Sequence, residues 1–173
     1  MNQLGIDSKT SDEDLRQVGS TCTSQDSWVD VCLSMAKSVA RRSKDPSTKV
    51  GAVLWSPNTS RIVSLGYNGF PSAISDLRKW WTNRDKDSWM FCKYDLAIHA
   101  EMNAILNAKA DLSNTHLFCT HKPCGTCAKH IAAVGISQVH YIPNPVVAKD
   151  ERDEAISTAI FDLANIHVHE HIY

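Results

Sequence analysis

An α/β fold around one core is what this sequence predicts, on three observations. Its apolar residues fall into five short strand-like runs, and the last four of these are separated by helix-length segments. The first two runs are joined by a short polar turn, the pattern of an antiparallel hairpin. The 173 residues, 43% of them hydrophobic, are enough for a single core. Helix crossovers between the later strands imply parallel pairing, so hairpin and crossovers together predict a mixed sheet.

Each element has a local reason. Residues 1–24 are rich in Ser, Thr, Asp, Gln and Gly, and read as a flexible N-terminal arm ahead of a domain over 25–173. A helix is expected from about Asp26, a suitable N-cap, because Trp28, Val29, Cys32, Met35, Ala36 and Val39 recur on one face. Asp45-Pro46 ends it. The cations Lys37, Arg41, Arg42 and Lys44 close that segment. They either answer the helix dipole, at roughly 0.3–1 kcal/mol each, or form an anion site. Val50–Trp55 reads as a buried strand, 56–60 as a turn and Ile62–Gly66 as the hairpin partner. The second strand runs into Gly66-Tyr67-Asn68-Gly69-Phe70-Pro71, a tight turn. This segment is a turn alone, or it brings backbone close to a ligand while Asn68 offers both a donor and an acceptor.

Residues 72–96 read as a long polar loop with three exposed tryptophans, Trp80, Trp81 and Trp89, and several cations. Long loops of this kind are often lids or binding loops. Ala97–Ala108 reads as a helix with His99 and Glu101 in its first turn, diverging by about 200° around the axis. Thr115–Thr120 is a strand. Cys124 opens a helix to about Val134, which Gly135 ends. Gln138–Ile142 is a strand, Asp150–Leu163 a helix and His167–Ile172 a final alternating strand.

Net charge is −1, and no basic stripe stands out, which counts against a nucleic-acid polymer as partner. No apolar run is long enough to span a bilayer and no secretory segment precedes the cysteines, so a reduced, cytoplasmic protein is expected. Of the six cysteines, only Cys124 and Cys127 have metal spacing. Cys32 and Cys119 fall at core positions, Cys22 lies in the polar arm, and Cys92 has no evident place.

The chemistry concentrates in His99-Ala100-Glu101 and Pro123-Cys124-Gly125-Thr126-Cys127. One imidazole and two thiolates leave the fourth position of a tetrahedral Zn²⁺ open for water, as a catalytic zinc requires. The metal lowers the pKa of that water, and Glu101, two residues from the imidazole, can shuttle its proton. A redox CxxC needs no upstream His-x-Glu, and a closed structural zinc needs a fourth ligand that is not evident. His-x-Glu with Pro-Cys-x-x-Cys is the signature of zinc-dependent nucleobase deaminases.

Over roughly 26–172 the chain closely resembles deoxycytidylate (dCMP) deaminases of the cytidine deaminase superfamily. The resemblance rests on Arg42-Ser43-Lys44-Asp45-Pro46 through Val50-Gly51-Ala52, on the Gly66–Pro71 block, on His99-Ala100-Glu101-Met102-Asn103-Ala104-Ile105 and on Pro123-Cys124-x-x-Cys127. It implies a cytidine-deaminase-like three-layer α/β/α arrangement with a central mixed five-stranded sheet. It implies that His99, Cys124 and Cys127 ligate zinc, Glu101 is the proton shuttle, Asn68 meets the deoxyribose, and the Ala100 backbone helps read the base. It further implies a homo-hexamer, activated by dCTP and inhibited by dTTP at a separate site for which Lys44, Asp45 and Gly69 are candidates. Mg²⁺ would accompany a bound triphosphate. Arg84 and Lys93 are the candidates for the substrate phosphate, although no motif marks them. Two features depart from the family: His121-Lys122 stands where relatives carry a more apolar or small pair, and no ligand set for the second, structural zinc of some phage relatives is evident.

The reaction so implied is hydrolysis of dCMP to dUMP and ammonia for dTMP synthesis. The alternatives are deamination of free (deoxy)cytidine or a 5-substituted dCMP, and a zinc-stabilised nucleotide-binding module without turnover. An intact Glu101 argues against the last.

Overall fold

The computed structural model describes residues 26–74, 78–85, 92–143 and 150–172. The N-terminal arm and Trp89 lie outside these. Among the described residues, the chain order is α1 (Trp28–Ala40), β1 (Gly51–Ser56), β2 (Arg61–Tyr67), α2 (Arg78–Thr82), α3 (Lys93–Leu96), α4 (Ala100–Asn107), β3 (His116–Cys119), α5 (Gly125–Ala133), β4 (Gln138–Tyr141), α6 (Glu151–Leu163) and β5 (His167–Glu170). None of the helices is long and apolar enough to cross a membrane.

The five strands form one sheet in the order β2-β1-β3-β4-β5. β1 is antiparallel to both β2 and β3, while β3–β4 and β4–β5 are parallel. The mixed sheet and its parallel last strands are as expected. Side-chain alternation divides the core. Val53 and Phe118 point to the face covered by α1, where they meet Cys32, Leu33 and Ala36. Ala52, Leu54, Leu117, Cys119 and Val139 point to the opposite face, against Ala100 and Ala104 of α4, Ala128 and Ile131 of α5, and Phe161 of α6. Helices therefore lie on both faces, giving three layers.

Local chemistry sets the boundaries. Ser27, and not Asp26, caps α1, its hydroxyl accepting from the Asp30 N–H at 3.2 Å. Asp150 caps α6 by accepting from the N–H groups of Arg152 and Asp153. Gly135, at φ +76°, makes the left-handed turn after α5. β5 is an edge strand and all four of its residues are exposed; it stops at Glu170, two residues short of the expected end.

The segment read as a loop contains the short helices α2 and α3, and Trp80 and Trp81 of α2 pack on a neighbouring ring. Trp81 is only 3% exposed and stacks on Phe70 of the Gly66–Pro71 turn, with ring centroids 4.0 Å apart and planes at 7°. Trp80 is half-buried against the same ring. Cys92 is buried at the start of α3, where its N–H donates to Asp95 Oδ2 at 2.9 Å.

Candidate active site

α4 begins at Ala100, so His99 is its N-cap residue, in extended conformation with φ −67° and ψ 156°. His99 precedes the helix and Glu101 stands in its first turn, so both reach the cavity from the helix end. The seat of α4 is set by Gly66. A Cβ there would lie 2.2 Å from Ala100 O and 2.3 Å from Ala104 N, so only glycine lets the helix backbone approach β2 so closely. Two asparagines on α4 bond the carbonyls of this edge strand on either side of Gly66. Asn103 Nδ2 donates to Tyr67 O at 2.8 Å and Asn107 Nδ2 to Leu65 O at 3.5 Å. Gly66 is in register with Ala52, and Ala52 with Cys119, so the start of α4 lies across the end of β3.

From β3 the chain passes through 120–123 to Cys124, the N-cap of α5. α6 holds this turn: Ser157 Oγ donates to Pro123 O at 2.7 Å, and Asp153 Oδ1 accepts from Gly125 N at 3.1 Å. The result brings His99, Cys124 and Cys127 together, their ligand atoms all within 4.8 Å of one another. His99 Nδ1 is 3.4 Å from each sulfur. Ordinary Zn–N and Zn–S bonds at tetrahedral angles separate nitrogen from sulfur by about 3.5 Å, so this donor set fits zinc. Among the described residues no other group of three such side chains meets that condition. Without the metal the three share protons. A hydrogen bond from Cys127, joined by the nearby His99, holds the Cys124 thiol down to about 4 against its burial, and Cys127 is pushed up by the same bond and by burial. The Cys124 sulfur in turn raises His99 to about 9.

Glu101 is 3% exposed. Burial raises its carboxyl above the usual carboxylate range, opposed in part by His99. It lines a cavity of about 750 Å³ together with His99, Cys124 and Ala100, within the range of small-molecule sites.

The other predicted residues separate into two groups. Asn68, Arg84, Lys93 and Asp45 line this same cavity. Lys44, exposed, and Gly69 do not line it; Gly69 instead pairs with Ile98, next to His99. Asn68 does not face the cavity with donors to spare. Its Nδ2 donates to Thr48 O at 2.9 Å and Asp45 Oδ2 at 3.4 Å, and its Oδ1 accepts from Val50 N at 2.8 Å. A buried amide has to satisfy its hydrogens, so the capacity that remains to it is a carbonyl lone pair. Lys93 is buried as well, its ammonium 2.6 Å from Asp45 Oδ2. Arg84 is exposed at the cavity with no partner among the described residues.

Sequence reasoning missed Ser47, Thr48, Tyr94 and Asp153, which also line the cavity; nothing in their spacing marks them. His121 lines it too, and burial lowers its pKa.

Comparison with known proteins agrees with this geometry. The family model described as "Cytidine and deoxycytidylate deaminase zinc-binding region" matches residues 26–142. A probable deoxycytidylate deaminase of Drosophila melanogaster is 39% identical over 150 residues, covering 84% of this chain and 72% of its own length. A deoxycytidylate deaminase of Pongo abelii is 34% identical over 140 residues, covering 80% and 76%. The crystal structure of dCMP deaminase from the cyanophage S-TIM5 in apo form shares the fold, with a TM-score of 0.63 at 23% identity, over 83% of this chain and 96% of that one. Matched over this span, with a zinc-fitting His/Cys/Cys set of which His99 and Cys124 line the cavity, the chain belongs to the cytidine and deoxycytidylate deaminase family.

Proposed function

We propose that this chain hydrolyses dCMP to dUMP and ammonia. The observation that carries the reading is the buried carboxyl of Glu101 beside the His99/Cys124/Cys127 cluster, in a cavity whose wall presents Arg84. His99, Cys124 and Cys127 would hold the zinc, which when bound would make hydroxide available at neutral pH. Glu101 takes a proton from the incoming water and gives it to the ring nitrogen next to the reacting carbon; it then takes the second proton from the hydroxyl newly bonded to that carbon and passes it to the amine, which departs as ammonia as the carbonyl forms. The Ala100 backbone, at the start of α4, borders the place the base would occupy. With both Asn68 hydrogens bonded internally, a sugar hydroxyl donates to its Oδ1.

A monophosphate is favoured over the free nucleoside by Arg84, a cation on the cavity wall with no partner among the described residues. The names of the two curated relatives support the same substrate. Production of dUMP and ammonia from dCMP, compared with deoxycytidine and CMP, tests the reading; equal rates on the nucleoside would remove the phosphate from it.

Regulation follows the family resemblance. In this reading the chain is a cytoplasmic homo-hexamer, dCTP activates it, dTTP opposes dCTP, Mg²⁺ accompanies the triphosphate, and Lys44 and Gly69 lie at the effector. Asp45, engaged with Lys93 inside the catalytic cavity, belongs to that cavity instead. A dCMP saturation curve that shifts with dCTP and reverses with dTTP is the expected result. A hyperbolic curve indifferent to both removes the regulation and leaves the chemistry.

A further inference from the structure

One buried charge pair inside the cavity is not needed for the chemistry above. Asp45 is 1% exposed and Lys93 is 7% exposed. They come from distant segments, the loop after α1 and the first residue of α3. Asp45 Oδ1 accepts from Ser47 N at 2.9 Å, Ser47 Oγ at 2.8 Å and Thr48 N at 3.2 Å, so it shapes the loop that lines the cavity. Its Oδ2 accepts from Lys93 Nζ at 2.6 Å and from Asn68 Nδ2 at 3.4 Å. Lys93 Nζ also donates to Ser47 Oγ at 3.1 Å. One carboxylate thus joins three segments at the wall that carries Asn68. Burial pushes the Asp45 carboxyl up, but the bonds from Lys93 and Ser47 outweigh it and hold the group below the usual carboxylate range.

Charge bookkeeping separates this pair from phosphate binding. Turning Lys93 to a phosphate would strand a buried carboxylate beside a dianion, a costly arrangement. Lys122 lies 3.8 Å from Glu154 Oε1 and donates to Thr158 Oγ1. That leaves Arg84 as the cation on this wall with no partner among the described residues.

We propose that Lys93 and Asp45 are a positioning pair, which holds Asn68 and the loop around Ser47 in the geometry that receives the sugar, and that neither binds the phosphate. This deepens the dCMP reading and rests on it. The pair is close to neutral, so it can lie under a nucleotide without attracting or repelling the phosphate. It also ties the insert that carries Arg84 to the wall that carries Asn68, since Lys93 N donates to Asn83 O at 3.0 Å.

Steady-state kinetics of the zinc-loaded chain on dCMP and on deoxycytidine test this. Wild-type turnover of dCMP tests the substrate reading; the variants test the pair. Lys93→Met and Asp45→Asn should each lower kcat/KM by about 10–100-fold, mostly through KM, and by the same factor for both substrates. Arg84→Ala should lower it for dCMP alone. The double variant Asp45→Asn/Lys93→Met should be no worse than either single variant, and Asp45→Asn should have less than about a threefold effect in an Asn68→Ala background. Zinc content and circular dichroism confirm folding; if one single variant unfolds, the other and the neutral double variant carry the test. The side-chain amide resonances of Asn68 give a readout without turnover: slow exchange in the wild type, fast exchange in either variant. A Lys93→Met loss confined to dCMP would make Lys93 a phosphate ligand and overturn the proposal. Additive losses, unchanged kinetics or unchanged Asn68 exchange would overturn it too.

Discussion

Replacing Gly66 by alanine puts a methyl carbon where α4 already is. The added Cβ would sit 2.2 Å from Ala100 O and 2.3 Å from Ala104 N, both backbone atoms that no rotamer change can remove. Ordinary contact begins near 3.4 Å, so the helix start must retreat by about 1 Å. Overpacking of this kind costs about 1–3 kcal/mol, which for a domain of this size lowers Tm by roughly 3–10 °C. The functional cost is larger than the stability cost, because α4 carries Glu101 and follows directly from His99, whereas the cysteines are held separately by α6. A 1 Å shift between the two halves of the site predicts a fall in kcat of about 100-fold and weaker zinc retention. Thermal melts, metal analysis after dialysis and dCMP turnover measure the three effects. A Gly66→Ala protein with wild-type Tm, zinc content and kcat would show that α4 is not seated by this glycine.

Three other outcomes are expected. Glu101→Gln should keep one zinc per chain and lose at least about 100–10,000-fold in kcat, the span of general acid–base catalysis; a rate within tenfold of wild type would remove Glu101 from the proton path. Chelation should abolish turnover and added Zn²⁺ should restore it, while His99→Ala or Cys127→Ser should bind metal too weakly for restoration, as metal analysis and rescue assays will show. Away from the site, Phe118, His140 and His169 stack across β3, β4 and β5, with 4.6 Å between successive ring centroids. Burial, then the neighbouring His169, His171 and His116, pushes His140 down to about 3. Its folded pKa lies below its unfolded one, so stability is present above about pH 6.5 and is lost as pH falls. By pH 5 this costs up to about 2 kcal/mol, or roughly 4–8 °C in Tm. His140→Phe should melt with a flatter dependence between pH 7 and 5; an unchanged slope would mean that the ring protonates in place.

The His/Cys/Cys donor set and the parallel pairing of the last strands were legible because each depends on short-range pattern. Alternating apolar residues determine which side of a strand is buried, and ligand spacing such as Cys124-x-x-Cys127 survives in one turn of helix. Helix crossovers between β3, β4 and β5 then allow only parallel pairing. The resemblance over the Arg42–Pro46 and Gly66–Pro71 segments added a substrate class that the ligand set alone does not carry.

Other features waited for the tertiary structure, for a physical reason: they are partnerships between residues far apart in the chain. Trp81 reads as exposed until Phe70 covers it, and Lys93 reads as a free cation until Asp45, 48 positions away, takes its charge. Asn68 has a donor and an acceptor to offer on paper, but Thr48, Val50 and Asp45 claim all but one lone pair. The sequence by itself determined the α/β architecture and the donor atoms for zinc, because periodicity and spacing are local. Which cations are already paired was decided by folding alone, since the partner of Lys93 lies far along the chain and no local pattern reveals it.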